Sequence, residues 1–206
     1  MAMFEIVPDL IFASRSEWVK NTSLPRLGHI VPRKARTHVF IHHTVTPDGD
    51  ETPNEWEEKD TVFARMRSLQ TIRPDLGLDV PYNFVAFLFG DSQLMICEGR
   101  GEDRSGAHTK GHNTKAIAVS FAGNFEDIQI AKSRIKARIP LLSNFLGWLK
   151  HDPSHPKYGK FDPMENLGSL KPNGRNVWYH SDIKQTACPG KHLEAVLGDV
   201  GFTKPS

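Results

Sequence analysis

The sequence has no long apolar run, almost no excess of charge of either sign and only two cysteines. Its longest uninterrupted apolar stretch is the short run Phe84–Phe89, whereas a membrane-spanning helix needs about 20 such residues. The formal net charge is +2 at pH 7, and proteins dedicated to nucleic-acid binding normally carry a basic stripe or tail. We therefore expect neither membrane insertion nor nucleic-acid binding.

The first residues do not resemble a secretory signal. A basic start is missing, and Glu5, Pro8 and Asp9 interrupt the apolar residues. We therefore expect the protein to start near Met1 and to stay in the cytoplasm. Because that compartment is reducing, we expect Cys97 and Cys188 to remain reduced thiols rather than to form a disulfide.

The apolar patterns predict an α/β fold. Runs rich in β-branched and aromatic residues predict strands at 38–42, 82–89, 93–97, 116–122 and 177–180. Apolar periods of three to four residues predict helices at 55–70, 131–151 and 189–197. Pro140 should kink the second of these helices or divide it in two. We expect a mixed central sheet flanked by helices.

The chain length indicates one domain. Its 206 residues are enough for one sizeable core, and no linker or repeat separates a second unit. We expect a single domain over 1–206, with an irregular N-terminal arm at 1–37 and a long surface loop at 152–176, a stretch rich in proline and glycine.

Two histidines and one cysteine occupy positions typical of metal ligands. His42 ends a predicted strand, His180 ends another, and Cys188 stands eight residues later, just before the last helix. Two imidazoles and a thiolate can supply three ligands of a tetrahedral zinc ion and leave the fourth position for water. The helix dipole would also favour the thiolate. Spacing alone leaves the alternative open that these residues only pack in the core.

Several segments, taken in order, carry a further signal. They are Phe40–Thr44, Pro81–Phe84, Ala107–Asn113, Ala116–Phe125, His180–Asp182 and Thr186–Gly190. Together they resemble the type 2 N-acetylmuramoyl-L-alanine amidase family, which includes phage endolysins and peptidoglycan recognition proteins. The resemblance extends from about residue 13 to residue 198.

The resemblance implies roles for individual residues. His42, His180 and Cys188 match the family's ligands for one zinc ion, and Tyr82 matches its catalytic tyrosine. Thr186 lies two residues before the last ligand, where members carry lysine or threonine. The implied reaction is zinc-dependent hydrolysis of the amide between the lactyl group of N-acetylmuramic acid and L-alanine in peptidoglycan.

The sequence leaves more than one candidate for the general base, the group that takes the proton from the attacking water. Some intracellular members have a glutamate, proposed as a base, where this chain has Ser120, so that route is closed. Tyr82 and a zinc-bound hydroxide are the remaining candidates.

Other polar residues have less specific expectations. His108, His112 and Asn113 lie in a glycine- and histidine-rich segment and are expected to contact substrate, with hydrated loop residues as the alternative. His43 is expected to contact substrate or to support the metal ligands. Cys97 is expected to be buried in the core. Surface positions are expected for His38, His151, His155 and His192. The basic cluster of Arg33, Lys34 and Arg36 is expected to be solvated, with contact to anionic wall polymer as the alternative.

The expected protein is a monomeric phage endolysin that waits in the host cytoplasm until it reaches the cell wall. One alternative is a recognition module that binds peptidoglycan without cutting it, although such proteins typically lack the cysteine ligand. Another is a regulator that binds a second protein.

Overall fold

A computed structural model of the chain describes residues 3–45, 53–127, 130–151 and 164–205. Within these ranges seven strands form one mixed sheet, in the order β1-β2-β5-β4-β6-β3-β7. The strands are β1 (Met3–Val7), β2 (Leu10–Ala13), β3 (His38–His43), β4 (Phe84–Phe89), β5 (Gln93–Glu98), β6 (Ala116–Phe121) and β7 (Trp178–Tyr179). The helices are α1 (Arg15–Trp18), α2 (Lys59–Leu69), α3 (Lys132–Lys136), α4 (Ile139–His151) and α5 (Lys191–Leu197). The predicted mixed sheet flanked by helices is confirmed.

The two faces of the sheet pack against different helices. Val39 and Ile41 of β3 belong to a core cluster shared with α4 and α5, whereas Val85 and Phe87 of β4 belong to a cluster shared with α2. His42 lies on the α2 side, because it is paired in parallel register with Ser120, which is paired with Val85. In the described residues, no helix is long and apolar enough to cross a membrane.

The prediction of an irregular arm at 1–37 is wrong for residues 3–18, whereas residues 19–37 contain no strand and no α-helix, as predicted. β1 and β2 form an antiparallel hairpin, and β2 then joins the sheet parallel to β5. Phe12 packs its ring near Phe84, Phe145 and Trp148. The available signal was the pair of short apolar runs Met3–Val7 and Leu10–Ala13, which the turn-forming residues Pro8 and Asp9 separate.

Two other predicted elements differ in extent. The helix predicted over 131–151 is divided into α3 and α4, as Pro140 indicated. This proline is the second residue of α4, in the first turn, where a backbone N–H has no partner within the helix. Residues 152–163 of the predicted surface loop lie outside the described ranges. In its remainder Met164 and Leu167 are fully buried in the core, whereas most of the other residues, among them Leu170 and Lys171, are exposed. This part is therefore a surface segment that two buried side chains anchor to the core.

Two of the three residues of the basic cluster, Arg33 and Arg36, are buried, and only Lys34 is solvated. Arg36 is fully buried and donates five hydrogen bonds to the carbonyl oxygens of Glu102, Arg104, Thr114 and Ala116. Arg33 is also buried and donates to the Glu102 carboxylate at 2.5 Å and to the Leu149 carbonyl at 2.6 Å. The expected solvation is therefore wrong for both arginines, which hold loops together and are not available to a wall polymer.

Replacement of Arg36 tests this structural role. We expect Arg36→Met to lower the free energy of unfolding by about 3–5 kcal/mol, because it leaves buried carbonyls without donors. Lys34→Ala, at the exposed neighbouring position, should change it by less than about 0.5 kcal/mol. Denaturant unfolding of both variants measures the difference, and a loss below 1 kcal/mol for Arg36→Met would contradict the assignment.

Candidate metal centre

Three potential ligands meet at the carboxyl end of β3. His42 belongs to β3, and His180 follows β7, which pairs in parallel with β3 so that Ile41 is opposite Tyr179. Cys188 approaches from the loop before α5. Ligand atoms of the three side chains all lie within 4.8 Å of one another. His42 Nδ1 is 3.4 Å from Cys188 Sγ, close to the separation of about 3.6 Å between nitrogen and sulfur ligands of a tetrahedral zinc ion. The donor set therefore fits one such ion.

The turn that carries His180 is held by charged neighbours. Asp182 accepts a hydrogen bond from the backbone N–H of Tyr179 at 2.7 Å and pairs with Arg175 at 2.5 Å. The Arg175 guanidinium also stacks 3.6 Å from the centre of the Tyr179 ring. These contacts fix the backbone on both sides of His180 and so the position of its Cα beside β3.

The loop that carries Cys188 is held in a similar way. Thr186 Oγ1 accepts a hydrogen bond from the Cys188 N–H at 3.2 Å, and the His43 N–H donates to Cys188 Sγ at 3.4 Å. Burial nevertheless raises the pKa of the Cys188 thiol to about 12, and the His43 N–H only partly opposes this. The expected bias of Cys188 toward the thiolate is therefore wrong in the absence of a metal. Helix α5 begins three residues later, and desolvation of the charged form dominates.

The histidines of the site are neutral. Burial, followed by the neighbouring imidazoles, lowers the pKa of His42 well below its usual range, and burial with Lys184 lowers that of His180. Burial also lowers the pKa of His43, to about 4. Neutral imidazoles are the form that binds metal ions.

A cleft of about 500 Å³ opens over the three ligands. Tyr82, His43, His108 and Thr186 are among the residues that line it. The Tyr82 ring lies 5.4 Å from that of His42 between ring centres. Burial and then the charge of Cys188 raise the pKa of Tyr82, while the nearby Ser120 hydroxyl slightly lowers it. In the metal-free site Tyr82 is therefore a neutral phenol that can donate a hydrogen bond, which argues against it as a base.

Of the four predicted substrate contacts, His43 and His108 line the cleft, whereas His112 and Asn113 do not. His43 Nδ1 accepts a hydrogen bond from the Phe125 N–H at 3.2 Å, which anchors the end of β3. Asn113 Oδ1 accepts hydrogen bonds from the backbone N–H groups of His108 and Thr109. His112 packs away from the cleft, with its Nδ1 3.1 Å from His38 Nε2. Among the described residues that line the cleft, neither His112 nor Asn113 is found.

The structure also shows the burial of the histidines and the cysteine outside the ligand set. His38 is buried, not at the surface; it shares a strand face with His42 because alternate strand residues point the same way. His151 is exposed, His192 is half-buried, and His155 lies outside the described residues. Cys97 is fully buried in the core, as predicted.

Three cleft residues, Val45, Ile72 and Arg73, were missed by the sequence analysis. Ile72 and Arg73 line the cleft from the segment between α2 and β4, where no motif or periodicity singles them out. Arg73 is paired with Asp75 through two hydrogen bonds of 2.8 and 2.6 Å. It brings the only full positive charge found among the described lining residues.

No family model matches the chain. Peptidoglycan-recognition protein SC2 of Drosophila simulans is 28% identical over 178 residues, which covers 84% of this chain and 86% of that protein. A mouse (Mus musculus) protein named N-acetylmuramoyl-L-alanine amidase is 29% identical over 134 residues, covering 62% of this chain and 24% of that protein.

Solved structures share the fold. Drosophila PGRP-LB superimposes with a TM-score of 0.63 at 22% identity and covers 95% of this chain and 97% of its own. Peptidoglycan recognition protein-LE, solved in complex with tracheal cytotoxin, a monomeric diaminopimelic acid-type peptidoglycan, gives a TM-score of 0.61 at 21% identity, with 93% and 95% coverage.

Zinc binding should release about one proton per ion at pH 7, because the thiol must ionise while the histidines are already neutral. The apparent affinity should then rise about tenfold per pH unit between about pH 7 and 9. Calorimetric titration in two buffers of different ionisation enthalpy counts the protons, with Cys188→Ser, which is expected to lose the ion, as the blank for non-specific heat. Release of two or more protons would mean that charged histidines must also be neutralised.

Proposed function

Because this chain is a homologue of the peptidoglycan-recognition proteins and has their fold, we propose that it is a zinc-dependent N-acetylmuramoyl-L-alanine amidase. It would hydrolyse the amide between the lactyl group of N-acetylmuramic acid and L-alanine. The observation that carries this proposal is the convergence of His42, His180 and Cys188 beneath a cleft that also contains Tyr82. The cleft volume of about 500 Å³ suits part of a muropeptide, since ligand pockets typically span about 300–1,000 Å³.

The three ligands would hold one zinc ion, which would supply Lewis acidity to the scissile carbonyl and to a water molecule. Tyr82, as a neutral phenol at the cleft wall, donates a hydrogen bond to the oxygen on which negative charge develops. A contact of this kind contributes about 3 kcal/mol to transition-state stabilisation in other hydrolases. Thr186 holds the Cys188 loop through its Oγ1, lines the cleft and would contact the substrate amide.

The charge of the cleft fits an acidic stem peptide. No carboxylate lines it among the described residues. Arg73 lies at its edge, and its charge is partly balanced by Asp75 just outside the lining. His43 and His108 line the same cleft and are proposed to face bound substrate, whereas His112 and Asn113 would act through the shape of their loop.

More specific predictions from the sequence are not addressed by these relatives, whose named sources are insects and a mouse. They are a phage endolysin, a host cytoplasm location before release to the cell wall, and a monomeric state. These stay predictions.

A second candidate is a recognition module that binds peptidoglycan without hydrolysis. Its support is that most of the curated relatives are named as recognition proteins rather than as amidases. The zinc content of the purified protein separates the two proposals, because a catalytic centre requires the ion and a binding groove does not.

The reaction is tested by digestion of purified bacterial cell wall. We expect newly exposed N-terminal alanine, with wall lysis and zinc lost together in Cys188→Ser because the third ligand is gone. Cys97→Ala is the matched control, since this thiol lies in the core away from the cleft, and it should keep both. Reducing sugar ends as the sole product, or full activity in a zinc-free Cys188→Ser protein, would refute the proposal.

The role of Tyr82 is tested separately. Tyr82→Phe should retain zinc and wall binding but lower kcat by about 100-fold, because one hydrogen bond to the developing oxyanion is lost. The alkaline limb of the pH–rate profile should be unaltered, since a neutral phenol does not lose its proton in the working range. An unchanged kcat would exclude this role.

A further inference from the structure

The His42 imidazole contacts polar side chains on the side opposite Cys188. Its Nδ1 faces Cys188 Sγ, whereas its Nε2 lies 3.2 Å from Nδ1 of His108 and 3.4 Å from Oγ1 of Thr109. Thr109 Oγ1 is in turn 3.0 Å from His108 Nδ1. The three side chains form a polar triangle behind the candidate ligand.

The position of the protons in this triangle follows from the geometry. A neutral imidazole that binds a metal through one nitrogen carries its proton on the other. With Nδ1 of His42 directed to the metal, its proton is on Nε2 and needs an acceptor. If His108 carried its proton on Nδ1, two N–H groups would face each other across 3.2 Å. His108 Nδ1 is therefore the acceptor, and its own proton is on Nε2.

We propose that His108 is a positioning residue of the metal centre: it accepts the Nε2–H hydrogen bond of His42 and fixes the tautomer that presents Nδ1 to the ion. The inference rests on the zinc-binding part of the proposed function. It gives His108 a role in addition to the substrate contact expected from the sequence. Partners of this kind typically change metal affinity 10–100-fold when they are removed.

The His108 ring is held in place by its own loop. A Cβ atom at Gly106 would lie 2.2 Å from His108 Cδ2, so the ring packs directly on the glycine backbone. Asn113 Oδ1 accepts the His108 N–H at 2.9 Å. These two contacts explain why the ring cannot turn away from His42.

Packing alone does not account for a histidine at this position. His108 Nε2 is buried and has no hydrogen-bond partner among the described residues. An unsatisfied buried group is costly, and an apolar side chain would avoid that cost. The requirement for histidine therefore comes from its Nδ1.

The test is zinc affinity, measured by competition with a chelator on three variants. His108→Leu removes the acceptor and should weaken zinc binding 10–100-fold. His108→Asn keeps an oxygen acceptor near the place of Nδ1 and should stay within about threefold of wild type, as should Thr109→Val, which keeps His108. Equal affinity of His108→Leu and wild type, equal loss in His108→Asn and His108→Leu, or a loss confined to Thr109→Val would overturn the inference.

A measurement on the wild-type protein covers the case in which a variant fails to fold. In the zinc-loaded, nitrogen-15-labelled protein, NMR should show the proton on His42 Nε2, with a coupling across the hydrogen bond to His108 Nδ1. A proton on His108 Nδ1, or His42 bound through Nε2, would overturn the inference and leave the proposed function intact. A wild-type protein that binds no zinc would overturn both.

Discussion

The parallel pairing of β3 with β7 is the constraint on which the site depends. β7 has only two residues, yet its register with β3 puts His180 directly beside His42 at one end of the sheet. Because so short a pairing contributes few hydrogen bonds, the turn after β7 needs other support. Asp182, Arg175 and the Tyr179 ring provide it. Loss of that support would separate the ligands without changing any of them.

Burial explains the chemistry of the side chains around the cleft. Desolvation keeps the histidines neutral, the cysteine protonated and the tyrosine a phenol, since each is held in its uncharged form. Without a metal, the three candidate ligands are thus neutral, and only the Cys188 thiol would have to lose a proton to bind one. Arg73 lies at the exposed edge of the same cleft, so charge is confined to the part that solvent reaches.

The sequence predicts the ligand residues better than their surroundings. His42, His180 and Cys188 stand within ordered motifs, and strand patterns place two of them at strand ends. Burial of Arg33, Arg36 and His38 is not predictable in this way, because isolated polar residues look the same whether they are hydrated or bonded to distant carbonyls. The contact between His42 and His108 joins residues far apart in sequence. It depends on the register of β3 against β6 and on the path of one loop.

Arg36 has a consequence beyond stability. Its guanidinium binds carbonyls of Glu102 and Arg104 at one end of a loop and those of Thr114 and Ala116 at the other, and His108 lies between these ends. Closing a flexible loop costs conformational entropy. Here that entropy is lost when the chain folds, before any ion arrives. The proposed zinc ion would then meet a prearranged set of imidazoles, and its binding free energy would not be reduced by ordering the loop.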